Sequence, residues 1–222
     1  MTKMIFDILT IFPEAFQSYF NTSILKSAQE RKLIKIRIHN LRKWTFDRHQ
    51  TVDDRPYGGG AGMILKIEPI YRALKDLKKL KPKPYIILLS VRGKNFNQET
   101  ARRLAKKRRI ILICGHYEGV DQRVADYLVD EEISLGDFIL TGGEIPAMAI
   151  VDAVSRLVPK VIKKESLEEE SFSPKMKNKK EYPQYTRPAV FKIGRKTLKV
   201  PKVLLSGDHK KIAQWRQKFL GG

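Results

Sequence analysis

Two apolar runs decide the fold: Tyr85-Ile-Ile-Leu-Leu-Ser90 and Ile110-Ile-Leu-Ile-Cys114. Each run is continuously apolar rather than alternating, which is typical of a strand that is buried on both faces of a sheet. Between them, residues 98–107 have the apolar spacing of an amphipathic helix. A strand, a helix and a strand in this order predict a parallel βαβ unit, so we assign the chain to the α/β class.

Similar elements continue on both sides of this unit. Residues 41–62 follow no period and contain Gly58, Gly59, Gly60 and Gly62, which indicates a long functional loop. The other predicted elements of the α/β part are two strands and five helices, namely strands at 4–11 and 35–39 and helices at 13–20, 24–31, 68–80, 120–127 and 145–157.

The C-terminal part of the sequence has a different composition. Residues 160–188 are polar, charged and interrupted by Pro174, Pro183 and Pro188, which is typical of a linker that is partly mobile. An extended segment and a helix capped by Asp208 follow. We therefore predict an α/β domain over 1–160, a linker over 161–186, and a small, mostly helical, basic domain over 187–222.

The charge is large and unevenly distributed. The 222 residues include 44 Lys and Arg against 24 Asp and Glu, a net charge of +20, while the 42% of hydrophobic residues excludes a disordered chain. Half of the net charge lies in residues 161–222, which favours a nucleic acid partner. Residues 118–152, by contrast, carry nine acidic side chains and the single basic Arg123. The basic run at 106–109 has two interpretations, a solvated surface or a phosphate contact.

The cysteine count and the length of the apolar runs indicate the compartment. A single cysteine, Cys114, excludes an internal disulfide, and we interpret it as a core residue on a buried strand. The apolar runs are too short to span a membrane and the N-terminus lacks a signal pattern, so we expect a cytoplasmic protein. We interpret His39 as a surface residue.

Nine of the fourteen glycines lie in two clusters, at 58–62 and at 115–143. The second cluster falls where parallel strands should end, and ligands of open α/β sheets bind outside those ends. The phosphate-binding patterns GxxxxGK[ST] and GxGxxG do not occur, and the surrounding residues are acidic. Both facts suit a neutral or cationic cofactor without phosphate, such as S-adenosylmethionine; ordinary turns are the alternative explanation.

Eight blocks in this order resemble the bacterial tRNA (guanine-N1)-methyltransferase family of the SPOUT clan. They cover nearly the whole chain, and together they are highly specific. The blocks are Phe6-Asp-Ile-Leu-Thr-Ile-Phe-Pro-Glu-Ala-Phe16, Asp47-Arg-His49 with Val52-Asp-Asp-Arg-Pro-Tyr-Gly-Gly-Gly-Ala-Gly-Met63, Cys114-Gly-His-Tyr-Glu-Gly-Val-Asp-Gln-Arg123, Gly136-Asp137, Gly142-Gly-Glu-Ile-Pro-Ala-Met148, Asp152 with Ser155-Arg156, Tyr185-Thr-Arg-Pro188, and Val203-Leu-Leu-Ser-Gly207.

The resemblance implies a SPOUT-type parallel sheet with a deep trefoil knot at the end of the α/β domain. It also implies a homodimer that methylates the guanosine 3′ of the anticodon in tRNA and binds neither DNA nor a membrane. By this likeness S-adenosylmethionine is held by three groups of residues: Leu88, Leu89, Ser90 and Val91; Gly115, Tyr117, Glu118 and Gly119; and Ser134, Leu135, Gly136, Asp137, Phe138, Ile139, Leu140, Gly142, Gly143 and Pro146.

The resemblance also assigns the catalytic groups. Methylation of guanine N1 needs a base for the N1 proton and a donor for the charge that develops on O6. The family takes its base from an aspartate followed by Ser-Phe, and the matching tripeptide here is Glu170-Ser171-Phe172, with Glu169 as the alternative base. The donor is Arg156. We expect tRNA contacts from Asp53, Asp54, Arg55, Tyr57, Gly59, Arg187 and Lys192, and the family's association with magnesium is carried over without a metal ligand.

Two other functions fit the same sequence. Another SPOUT methyltransferase, acting on a ribose hydroxyl or a different base, needs no carboxylate after the knot. A non-catalytic basic RNA-binding protein would retain the fold but show no heat of binding with S-adenosylmethionine.

Overall fold

The computed structural model describes residues 4–168, 170–174, 176 and 179–219. The chain divides into two compact units, of which the first runs to Ile162 and the second begins at Lys163. In chain order, the strands and α-helices of the first unit are β1 (Met4–Thr10), α1 (Gln17–Phe20), α2 (Ser23–Glu30), β2 (Ile34–Asn40), β3 (Asp53–Asp54), β4 (Ile64–Leu65), α3 (Ile67–Lys78), β5 (Tyr85–Asn95), α4 (Gln98–Ala105), β6 (Arg109–Cys114), α5 (Gln122–Tyr127), β7 (Glu131–Ser134) and α6 (Glu144–Ser155).

The predicted parallel sheet is confirmed. Among the described residues it has five strands in the order β2-β1-β6-β5-β7, and every neighbouring pair is parallel. The strands β3 and β4 form a separate antiparallel pair. Since the strands are parallel, the carboxyl ends of β5, β6 and β7 meet at one edge of the sheet.

The core lies on both faces of this sheet. Alternate residues of β6 belong to different clusters: Leu112 packs with α2, α4 and α6, whereas Ile111 packs with α3 and α5. This arrangement explains the continuous apolar runs of the sequence, because both faces of the strand are covered. Cys114 is part of the first cluster, and burial raises the pKa of its thiol well above the ordinary value, so it is a core side chain.

The strand β5 continues past the predicted end at Ser90. Its pairing with β7 is interrupted, because Leu89 and Lys94 both lie opposite Ile133 and the residues between them bulge out of the ladder. Gly93 lets β5 come back against β7 after the bulge, because a Cβ at this position would lie 2.4 Å from the backbone nitrogen of Ile133. The bulge places residues 90–92 at the carboxyl edge of the sheet.

A buried ion pair links β1 to β6, and a histidine of β2 joins it. The Arg109 Nε donates to Asp7 Oδ2 at 2.7 Å, and both side chains are fully buried. The His39 Nε2 lies 2.7 Å from the other carboxylate oxygen of Asp7. Both interpretations of the 106–109 run were therefore wrong for Arg109, and His39 is a partly exposed partner of a buried carboxylate rather than a plain surface residue.

The second unit is small and mostly irregular. Its elements are α7 (Lys164–Glu168), an antiparallel hairpin of β8 (Val190–Ile193) and β9 (Lys196–Lys199), a 3-10 helix (Lys202–Leu205) and α8 (His209–Gln217). The hairpin lies in the predicted extended segment, and the mostly helical character predicted for residues 187–222 is not confirmed. The predicted cap is present, since Asp208 accepts a hydrogen bond from the Lys211 N–H at 3.0 Å. Within the described part of the chain, no helix is long and apolar enough to cross a membrane.

Candidate active site

A cavity of about 910 Å³ opens at the carboxyl ends of β5, β6 and β7. Seventeen of the eighteen residues that the resemblance assigned to the cofactor line it. The exception is Asp137, which does not line the cavity and instead accepts a hydrogen bond from Asn95 Nδ2 at 3.1 Å. The three post-strand loops of the sequence analysis thus surround one space.

The loop after β6 turns sharply into the cavity. Tyr117 has a positive φ of 57° and Gly119 one of 132°, and the Gly119 N–H donates to the His116 carbonyl at 3.1 Å. A positive φ is unusual for tyrosine and readily adopted by glycine. This turn places residues 117–119 in the lining of the cavity.

The segments on either side of the glycine-rich loop at 58–62 line the same cavity, and residues after the loop are hydrogen-bonded to the 115–121 loop. The Leu65 N–H donates to the Gly119 carbonyl, and the Asp121 N–H donates to the Leu65 carbonyl, both at 3.0 Å. Of the tRNA contacts predicted in this segment, Asp54, Arg55 and Tyr57 line the cavity. Asp53, in β3, and Gly59 do not.

The chain returns after β7 to the end of β6, where the two backbones touch. The Gly143 N–H donates to the Gly115 carbonyl at 2.8 Å, and Gly142 pairs with His116. A Cβ at Gly143 would lie 2.6 Å from the Cα of Cys114, a distance that no real side chain tolerates. Thr10 fixes the following helix from the other side, because its hydroxyl donates to Glu144 Oε1 at 2.6 Å.

We expect Gly143→Ala to destabilise the protein by about 1–3 kcal/mol, because its new methyl group would overlap the β6 backbone, which cannot move aside as a side chain can. Gly115→Ala is the matched control, since its Cβ would meet the Leu89 carbonyl and the Val120 side chain at 3.4 Å, a contact that needs little adjustment. Urea unfolding measures both, and equal losses for the two variants would contradict the close crossing at Gly143.

The cavity also contains charged side chains that the sequence analysis did not assign. Arg92 lies in the β5 bulge, while Asp121 and Arg123 belong to the block that follows β6. The hydrogen bonds that Arg123 donates to Asp121 lower the pKa of that carboxyl, so this pair is charge-compensated. Membership in the 114–123 block was the only sequence signal for Asp121 and Arg123. Within the described ranges, no group of three or more His, Cys, Asp or Glu side chains is placed to hold a metal ion.

Arg156, the predicted hydrogen-bond donor to guanine O6, lies in the first unit and is not part of the cavity lining. It caps the C-terminus of α6, where its N–H donates to the Asp152 carbonyl at 3.2 Å. The Asp152 carboxylate accepts a hydrogen bond from the Tyr19 hydroxyl, which raises the pKa of Tyr19. Tyr19 therefore stays protonated at neutral pH and ties α1 to the last turns of α6.

The candidate base, Glu170, lies in the second unit. The segment around it is held by local hydrogen bonds: the buried Ser173 hydroxyl donates to the Glu168 carbonyl at 2.7 Å, and the Ser173 N–H donates to the Glu170 carbonyl at 3.2 Å. Phe172 has a positive φ of 62°, which is strained for this residue type. Glu169 lies outside the described residues. Arg187 precedes β8 and Lys192 lies within it, and both are exposed.

Comparisons with known proteins agree on one family. The family described as "tRNA (Guanine-1)-methyltransferase TrmD" matches residues 4–220. A relative from Carboxydothermus hydrogenoformans, named tRNA (guanine-N(1)-)-methyltransferase, is 56% identical over 96% of this chain and 81% of its own length. A relative of the same name from Chloroflexus aggregans is 54% identical over 96% of this chain and 82% of its own. The crystal structure of tRNA (m1G37) methyltransferase from Aquifex aeolicus aligns with a TM-score of 0.80 and 41% identity, covering 98% of this chain and 89% of that one.

The parallel sheet and the cavity outside its strand ends define an α/β protein with a ligand-sized cavity at the carboxyl edge of the sheet, the place where open α/β sheets bind their ligands. The chain belongs to the tRNA (guanine-N1)-methyltransferase family, as its resemblance indicated.

Proposed function

We propose that this enzyme transfers the methyl group of S-adenosylmethionine to N1 of the guanosine 3′ of the anticodon in tRNA. The observation that carries the proposal is the convergence of the three post-strand loops and the 54–57 segment on one cavity. The similarity to tRNA (guanine-N(1)-)-methyltransferases over nearly the whole chain supports the same reaction.

The residues of the cavity fit S-adenosylmethionine. The volume of the cavity, about 910 Å³, lies at the upper end of the roughly 300–1,000 Å³ typical of pockets for small molecules. Apolar side chains such as Leu88, Leu140 and Pro146 suit an adenine ring, and the backbones of Gly115 and Gly142 leave room for close polar contacts. When bound, the cofactor supplies an electrophilic methyl group on a cationic sulfur, and the carboxylate of Glu118 in the cavity lining suits this positive charge.

Glu170 acts in this proposal as the base that takes the proton from guanine N1. Arg156 donates hydrogen bonds to O6, where negative charge develops as the proton leaves. Arg156 belongs to the first compact unit and Glu170 to the second, and in this proposal both act on the same base. The target guanosine lies in a single-stranded loop, where it can be splayed out of its stack and read on its edges.

The second unit supplies contacts to the tRNA backbone. Residues 161–222 hold half of the net charge of the chain, and Arg187 and Lys192 are exposed there. Contacts to phosphates fix the position of a nucleic acid and make its binding salt-dependent. The net charge and the family membership support tRNA as the partner, and the cytoplasm as the compartment where it acts.

The trefoil knot and the homodimer that the family resemblance implies are part of the proposal. The hydrogen bond from Gly143 to Gly115 supports the knot, because it places the segment after β7 directly against the loop after β6. Exposed apolar side chains of the first unit, among them Ile24 and Ile145, support a partner subunit. A dependence on magnesium stays a prediction, without an assigned ligand.

Methyl transfer to tRNA transcripts tests the function. We expect a transcript with guanosine 3′ of the anticodon to be methylated at N1, and the same transcript with adenosine at that position to remain unmodified, since only guanine offers an N1 proton together with O6. Nucleoside analysis of the product identifies the methylated atom. Methylation of a ribose or of another base would favour the alternative SPOUT activity, and the absence of both methylation and cofactor binding would favour a non-catalytic RNA-binding protein.

A further inference from the structure

The lining of the cavity extends beyond the residues assigned to the cofactor. Residues of the 115–119 and 134–143 loops form part of the lining, and further lining comes from charged side chains of the 54–55 segment, the start of α3, the β5 bulge, β7 and the start of α5. The charged groups of this second part are, among the described residues, Asp54, Arg55, Lys66, Glu68, Arg92, Asp121, Arg123 and Glu132.

Arg92 differs from Arg123, another arginine of the lining, in the partner of its side chain. Arg123 is paired with the carboxylate of Asp121 at 2.6 Å. The Arg92 Nη1 instead donates to the neutral amide oxygen of Gln122 at 3.0 Å, and no carboxylate of the described chain lies within ion-pair distance of Arg92. A guanidinium has several N–H donors, so this contact leaves both its charge and most of its donors available to a ligand.

The position of Arg92 is fixed by two sets of contacts. Its backbone belongs to the β5 bulge, which Gly93 anchors against β7, and its N–H donates to the Ser90 hydroxyl at 3.1 Å. Its side chain is held by Gln122, whose own amide nitrogen donates to Asp126 at 2.9 Å. The side-chain hydrogen bonds from Arg92 to Gln122 and from Gln122 to Asp126 orient the guanidinium, and no carboxylate in direct contact neutralises it.

We propose that Arg92 binds an oxyanion of one of the two reactants, either the methionine carboxylate of S-adenosylmethionine or a phosphate of the target nucleotide. The planar guanidinium fork suits the paired oxygens of both groups. The proposal rests on the proposed function, because it takes the ligands of the cavity from that reaction. It adds a binding residue that lies just beyond the segment assigned to the cofactor.

The variants Arg92→Gln, Arg92→Lys and Lys94→Gln test this proposal. Lys94→Gln is the matched control, because Lys94 is an exposed cation of the same strand that does not line the cavity. Calorimetry gives the affinity for S-adenosylhomocysteine, which has the carboxylate, and for 5′-methylthioadenosine, which lacks it. Kinetics with a tRNA transcript at several salt concentrations gives KM and its salt dependence.

If the oxyanion is the carboxylate, Arg92→Gln weakens binding of S-adenosylhomocysteine about tenfold or more and leaves 5′-methylthioadenosine unaffected. If the oxyanion is a phosphate, Arg92→Gln keeps its affinity for both adenosine ligands, and its KM for tRNA rises about tenfold. The slope of the logarithm of tRNA affinity against the logarithm of salt concentration then falls in magnitude by about one unit. In either case Arg92→Lys retains an intermediate effect, because it keeps the charge and loses the fork.

Three results would overturn the role of Arg92. The first is an Arg92→Gln variant that matches the wild type in every assay. The second is an equal loss of affinity for S-adenosylhomocysteine and 5′-methylthioadenosine, which indicates a distorted bulge. The third is a Lys94→Gln variant with the same effect as Arg92→Gln. A wild-type protein that neither binds S-adenosylhomocysteine nor methylates tRNA would instead contradict the proposed function itself.

Discussion

Glu170→Gln will lose most methyl transfer while keeping the fold and the affinity for S-adenosylhomocysteine. Glutamine preserves the size of the side chain but cannot accept the guanine N1 proton, and a positioned base contributes about 10²–10⁴-fold to such a reaction. The Glu170 carbonyl accepts a hydrogen bond from the Ser173 N–H, and the substitution leaves this backbone contact in place. Single-turnover methyl transfer to tRNA, with calorimetry for the cofactor product, measures the two effects separately.

Variants of the neighbouring Glu168 and Glu169, and a conservative variant of Glu170 itself, serve as comparisons. Glu168→Gln removes the same charge from α7, where the carboxylate lies 3.6 Å from Lys164, and should leave transfer near the wild-type rate. Glu170→Asp restores the carboxylate with one methylene fewer and should recover part of the activity. If Glu170→Gln turns over normally while Glu169→Gln is inactive, the base is Glu169 and the present assignment is wrong.

Asp7→Ala will destabilise the first unit by about 3–5 kcal/mol, the typical cost of removing one partner of a buried ion pair. The loss is large because Arg109 would remain buried without its carboxylate, and His39 would lose its partner on the neighbouring strand. The shift of the urea unfolding midpoint measures it. Glu30→Ala is the control: its carboxylate is exposed and lies 4.0 Å from Lys26, so its removal should change stability by less than about 1 kcal/mol.

Acid pH should weaken the same contact. Burial raises the pKa of the Asp7 carboxyl, but the hydrogen bonds and charges of His39 and Arg109 outweigh burial, and the net pKa is lowered. A carboxyl with a lowered pKa stabilises the fold above the ordinary aspartate pKa of about 3.9, and this stabilisation is lost as the pH falls through the folded-state value. The stability difference between wild type and Asp7→Ala should therefore shrink at strongly acidic pH, and a constant difference would contradict the buried ionised carboxylate.

The local elements of the first unit were largely predictable. The apolar runs at 85–90 and 110–114 are strands of the sheet, and the predicted helices at 68–80 and 98–107 form with ends shifted by one or two residues. The strand β7, with only four residues, was implied solely by the glycine-rich loop after it. The extension of β5 was missed because residues 91–95 have no strand periodicity, and they are extended only because β7 pairs with them across a bulge.

The α/β class, the family and the glycine-rich loops of the cavity follow from the amino-acid sequence alone, because hydrophobic period and ordered motifs are local properties of the chain. Which charged side chains meet depends instead on the tertiary structure. Asp7 and Arg109 are 102 residues apart, and Arg92 and Gln122 are 30 apart. Their contacts depend on strand order and on the register at the β5 bulge, which arise when distant segments pair in the sheet and leave no local pattern in the residues themselves.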